Sequence, residues 1–174
     1  MTRWGVFVVA GCLLAASACD DNPTAPEVQP LVFTAALAAT SEVSLPGTSE
    51  AGATGTATIT LIPTRDSANA ITGGRITMAF TVQNFPAGSF ITLAHIHGPN
   101  APAGVNANVL VNTGLTAQTG IAMPLGSASF TSPEVTADAA TVNLMIANPT
   151  ANFYFNVHTT LNPGGAVRGQ LVAR

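Results

Sequence analysis

Along most of this chain apolar and polar side chains alternate with a period of two. Ala57, Ile59 and Leu61 are interleaved with Thr56, Thr58 and Thr60, and Ile76, Met78, Phe80 and Val82 with Thr77, Thr81 and Gln83. A strand turns successive side chains to opposite faces, so this alternation creates one apolar face and one bearing hydroxyls and amides. Threonine suits the second face, because its branched side chain is at home on a pleated surface. The same patterning predicts strands at 31–38, 89–97, 107–112, 126–131, 152–160 and 166–173. Turn signals separate them at Pro46-Gly47, Pro86-Ala87-Gly88, Gly98-Pro99-Asn100 and Asn162-Pro163-Gly164-Gly165, while Gly73-Gly74 marks a bulge or bend near the start of a long strand.

About eight short strands at this spacing predict an all-β fold, an antiparallel Greek-key sandwich or flattened barrel. Residues 132–147 depart from the pattern. Their small and unbranched side chains end before Asn148-Pro149, which predicts one short helix before the last hairpin, with Thr136 or Asp138 as its N-cap.

Alternation also sorts the three histidines. His95 and His97 share one face of a strand, opposite Ala94 and Ile96; in the later strand Tyr154, Asn156 and His158 share a face, opposite Phe153, Phe155 and Val157. The large apolar side chains mark the core, so the histidines are expected on the outer face. If the two strands are neighbours, three imidazoles converge there.

Composition narrows the chemistry. The chain has 174 residues, 7% charged, no lysine and a formal net charge of -3. That length suits one domain with short extensions. Too few cations are present to neutralise phosphates, so nucleic acid is excluded as a partner. No Gly-x-Ser-x-Gly elbow, P-loop or dinucleotide fingerprint occurs. The acids are scattered, and Asp20, Asp21, Glu27 and Glu42 lie in or near the N-terminal stretch.

That stretch reads as an export signal. Arg3 precedes an apolar run from Trp4 to Ala18, shorter than the roughly 20 residues of a membrane-spanning helix. Residues 1–18 are therefore expected to be a signal peptide. Ala16-Ser17-Ala18-Cys19 resembles the bacterial lipobox, which implies a lipid on Cys19 and an anchor in a membrane. Val9-Ala10-Gly11-Cys12 fits that pattern better but leaves an apolar core of only about eight residues, so Cys19 is preferred; cleavage after Ala18 without lipid would leave a free thiol. Residues 19–30 then form a tether rich in proline and acids, about 3 Å per residue, ahead of a β domain at 31–174. Both cysteines precede that domain, so it folds without disulfides.

The histidines admit two roles. They could fasten the loops at 98–105 and 161–165 through backbone carbonyls, or act as three neutral ligands for copper or zinc, with a water or substrate in the fourth position. Tyr154 and Asn156 are expected as supporting hydrogen-bond partners. Arg168 is expected either as a fork for an anion or, with slight preference, as a cap on carbonyls of the last hairpin or a partner for an acid. Gly164 and Gly165 are expected to supply positive φ in the hairpin loop.

Ala94-His95-Ile96-His97-Gly98-Pro99, and Tyr154-x-Asn156-Val157-His158-Thr159 followed by Pro163-Gly164-Gly165-x-x-Arg168-Gly169-Gln170-Leu171, resemble the signature segments of the CHRD domain. That module is repeated in chordin and found alone in many bacterial exported proteins. Ala166 departs from the pattern, where the family often has glutamate, and removes a partner for Arg168. The resemblance implies an extracellular or envelope protein with no assigned catalytic activity. More distantly, the order His95, His97, His158, Arg168 is similar to the copper site of copper-zinc superoxide dismutase, a Greek-key barrel. The fourth copper histidine, the zinc ligands and the disulfide of that enzyme have no counterpart here, so dismutase activity is not expected.

The first functional expectation is thus a membrane-tethered binding or structural module of the cell envelope, facing periplasm or exterior, that binds a protein, a glycan or another copy of itself without catalysis. The alternative is a mononuclear copper- or zinc-binding protein using His95, His97 and His158, with a redox-related role.

Overall fold

The alternating segments pair into one antiparallel sheet. A computed structural model describes residues 1, 29–47, 49–147 and 152–174; the expected signal segment beyond Met1, Cys19 and the tether up to residue 28 lie outside the described residues. Strands β1 (Leu31–Ala38), β2 (Thr54–Arg65) and β3 (Ile71–Gln83) form a meander. Phe33, Ile59 and Met78 stand in register across it, all fully buried. After β4 (Ser89–His97) come the short strands β5 (Val109–Asn112), β6 (Ile121–Met123), β7 (Ala128–Thr131) and β8 (Val135–Asp138), then helix α1 (Ala139–Ala147). The chain closes with β9 (Tyr154–Thr159), β10 (Val167–Gln170) and β11 (Val172–Ala173).

The path through the sheet is β5-β4-β9-β10-β1-β2-β3-β7, eight strands that curl into a nearly closed barrel, with β6 beside β4, β8 beside β3 and β11 beside β1. The interior is the apolar face written by the alternation. Phe80 of β3 meets Phe155 of β9 across it, ring centroids 5.7 Å apart, and Phe130 at 5.6 Å. The expected fold class holds, and the strand bounds at 31–38 and 89–97 are those the patterning predicts.

Two local features have physical reasons. The helix expected within 132–147 runs from Ala139 to Ala147, and the residues just before it form a strand. Val135-Thr136-Ala137-Asp138 instead has a period of two, with Ala137 buried and Thr136 exposed, and pairs with β3 from Gly73 to Ile76. Asp138 is the cap: its Oδ1 accepts the Thr141 N–H at 2.7 Å, while Thr136 lies within the strand. The Gly73-Gly74 bend has two causes. The β2–β3 register shifts there, between Thr64 and Arg65, and α1 packs close. A Cβ on Gly74 would stand 2.8 Å from the Val142 Cγ2.

β10 is wedged as tightly against β1. A Cβ on Gly169 would lie 2.1 Å from the Ala36 carbonyl oxygen, a backbone atom with nowhere to move. Gly169→Ala is therefore expected to cost about 2 kcal/mol or more in urea unfolding. Gly164→Ala, where a Cβ meets nothing within 4 Å, should stay within about 0.5 kcal/mol of the parent. Equal midpoints for the two variants would contradict this β1–β10 packing.

Candidate functional site

β4 and β9 are neighbours, and their register makes the site. His97 pairs with Tyr154, His95 with Asn156 and Leu93 with His158. The core face of this pair carries Ala94, Ile96, Phe155 and Val157, each fully buried. The other face carries His95, His97 and His158, as alternation predicts, yet these are only 5%, 8% and 7% exposed. The expected outer face is thus covered. The segment from Gly98 to Asn108 and the turn at 161–165 lie over it, with backbone carbonyls turned onto the rings.

Those carbonyls fix the protons. His97 Nδ1 donates to the Ala107 oxygen at 2.7 Å and His158 Nδ1 to the Pro163 oxygen at 2.9 Å. Each Nδ1 therefore carries the hydrogen, and each Nε2 presents a lone pair. His158 Nε2 lies 2.8 Å from His95 Nε2, so His95 is the donor of that bond. His95 Nδ1 and His97 Nε2 are buried without a partner. Burial pushes all three imidazoles below their ordinary range, and His95, with the other two rings beside it, falls to about 3. They are neutral at neutral pH, the state in which imidazole binds metal.

One ligand atom from each of the three rings lies within 4.8 Å of the others. Two ligands each about 2 Å from one ion stand roughly 3 Å apart, close to the His95–His158 separation. A carbonyl holding the far ring nitrogen is also the usual support of a metal-binding histidine. The set suits copper or zinc, with a fourth position left over.

Each covering loop is tied down by a buried polar side chain. Arg168, 1% exposed, donates to the Val105 oxygen at 2.6 Å, the Pro102 oxygen at 3.3 Å and Asn106 Oδ1 at 3.1 Å. It caps carbonyls, as preferred from the sequence, but those of the loop after β4 and not of the last hairpin. Its guanidinium lies 3.5 Å from the Tyr154 ring centroid, and His97 stacks on the same ring at 4.4 Å and 8°. The two sandwich Tyr154, since one face has no room for both. The tyrosine hydroxyl accepts the Ala107 N–H at 3.4 Å. Asn156 is buried beside Gly165, its Oδ1 without a partner.

The second anchor was not singled out in the sequence. Glu50 is fully buried, and its Oε2 accepts from Thr159 Oγ1 at 2.7 Å and from Asn162 Nδ2. This holds the turn whose Pro163 carbonyl orients His158. Glu42, grouped above with the N-terminal acids, belongs to the site wall instead, 8% exposed. It lines the same cavity as Arg168 and feels its charge. In so uncharged a domain, any acid beyond the tether was the available signal. Gly165 has the expected positive φ (134°), and a Cβ there would strike both Glu42 carboxyl oxygens; Gly164 does not have positive φ and is open.

The CHRD domain family matches residues 33–171, so the chain belongs to the CHRD-domain family. No curated protein and no solved structure matches it.

Glu42 gives the site a pH signature. Burial raises its carboxyl from 4.5 to about 7, partly offset by the Arg168 charge. The folded chain thus holds this proton more tightly than the unfolded chain. The stability it contributes is full below 4.5 and is lost as pH rises through about 7. Glu42→Gln should therefore gain on the parent by about 2 kcal/mol between acid and mildly alkaline pH, read from urea midpoints. A difference that does not change with pH would contradict the burial of this carboxyl.

Proposed function

We propose that this chain is an exported, non-catalytic binding module of the cell envelope, held to a membrane through a lipid on Cys19, and that His95, His97 and His158 bind one copper or zinc ion. Membership of the CHRD family supports the binding-module part, and the N-terminal sequence supports export and tethering. The exposed threonines of the sheet, Thr56, Thr58 and Thr81 among them, offer hydrogen bonds to a protein or glycan partner.

One observation carries the metal reading. His97 and His158 both spend Nδ1 on a loop carbonyl, and all three rings bring a nitrogen to one buried point. Fastening the loops accounts for the two Nδ1 bonds. It does not account for His95, which touches no loop carbonyl and meets only His158 among its hydrogen-bond partners.

His95 therefore separates the two roles. Full-length protein purified from cells grown with copper and zinc should carry about one ion per chain by elemental analysis. His95→Ala, His97→Ala and His158→Ala should each lose it, with His95→Ala keeping its far-UV circular dichroism because no loop is released. Saturating metal should raise the parent melting temperature, a ligand at a hundred times its Kd adding about 2.7 kcal/mol. A metal-free parent whose melting ignores both ions would leave the histidines as loop fasteners only.

A further inference from the structure

The barrel is shut at one end of its seam and open at the other. Where β6 pairs with the start of β4 and β7 with the end of β3, a tight turn joins the two: Phe85 N–H donates to the Gly126 oxygen at 3.0 Å, and Gly88 N–H to the Met123 oxygen at 2.9 Å. Farther along the same two edges, β5 is paired only with β4 and β8 only with β3. Between them runs a groove of about 380 Å³, walled by Leu110, Val111 and Asn112 on one side and Val135, Thr136 and Ala137 on the other.

The groove offers backbone as well as side chains. Thr113 N–H donates to the Ala94 oxygen. Alternation along the antiparallel ladder then turns the N–H and C=O groups of Asn112 away from β4, towards the groove, while the register shift opposite Ile96 and His97 leaves Leu110 as the extra residue of a bulge. Val111 and Ala137 are buried, Leu110 and Val135 half-buried, and Asn112 and Thr136 exposed. The Asp138 carboxylate is already committed to capping α1. The outward N–H and C=O groups of Asn112, and the edge of β8 with Val135 and Ala137 on either side of exposed Thr136, match the backbone and alternating side chains of another strand.

We propose that the open seam between β5 and β8 accepts one extended segment of a partner protein, aliphatic at alternate positions, by strand addition. The successive antiparallel pairings from β5 round to β8 leave these two strands running in opposite directions. The incoming segment is therefore antiparallel to one wall and parallel to the other. The chain's own segment before β1 is a poor occupant, because Pro23, Pro26 and Pro30 remove N–H groups that the ladder needs.

The probe is a synthetic peptide copying residues 106–114, which has the β5 pattern and no proline. Added to ¹⁵N-labelled full-length protein, it should bind with a Kd below about 1 mM. It should also slow hydrogen exchange of the Asn112 amide and of β8 amides by about tenfold or more. Asn112→Pro, which removes a groove-facing N–H and spares the ladder with β4, should weaken binding, and a backbone N-methylated peptide should not bind. Unchanged exchange at saturating peptide, or equal binding of the N-methylated peptide, would overturn the proposal. So would self-association of the protein that Asn112→Pro abolishes, since that assigns the seam to a second copy.

Discussion

The register of β4 against β9 is the constraint on which the rest of the site depends. Because side chains alternate, one choice of register places Ile96, Phe155 and Val157 in the barrel and the three histidines together on its other side. A slip of one residue on either strand would carry imidazoles into the core and phenylalanines out of it, and so is opposed by burial of several large apolar groups. The Phe80–Phe155 contact across the interior fixes the same register from the far wall. Hydrophobic packing thus holds the nitrogens in place, with no disulfide in the domain to help.

The polar residues that cover this face follow a different logic. Burying Arg168, Glu42 and Glu50 opposes folding unless each finds partners. Arg168 finds two carbonyls, an amide oxygen and an aromatic face. Glu50 finds a hydroxyl and an amide that lie far from it in sequence. Each converts a loop into a fixed lid whose carbonyl selects a histidine tautomer. The hydrogen bonds offset the desolvation cost, and the loop order they impose determines which imidazole nitrogens are bare.

Much of this was legible in the sequence, for identifiable reasons. Period-two patterning is a local signal, so β1 and β4 were read to the residue, and the shared faces of His95, His97 and His158 followed from it. The Asp138 cap was legible too, but the strand just before it was not, because four residues are too short a run to establish a period and pairing with β3 decides. The burial of the histidine face was not legible, since it depends on loops returning over the sheet from Gly98 and Asn162. Glu42 and Glu50 were missed for the same reason: their partners are distant in sequence, and no spacing rule connects Glu50 to Thr159.

Fastening loops and binding a metal ion are compatible uses of the same protons. The bonds to Ala107 and Pro163 leave the Nε2 atoms of His97 and His158 free, as a ligand requires. Only His95 must change, because it now gives its Nε2 proton to His158. On the proposed reading, an ion entering the site displaces that proton, which can return to the ring at Nδ1. Nδ1 is buried without a partner, so the fold leaves that nitrogen unspent and able to take the proton.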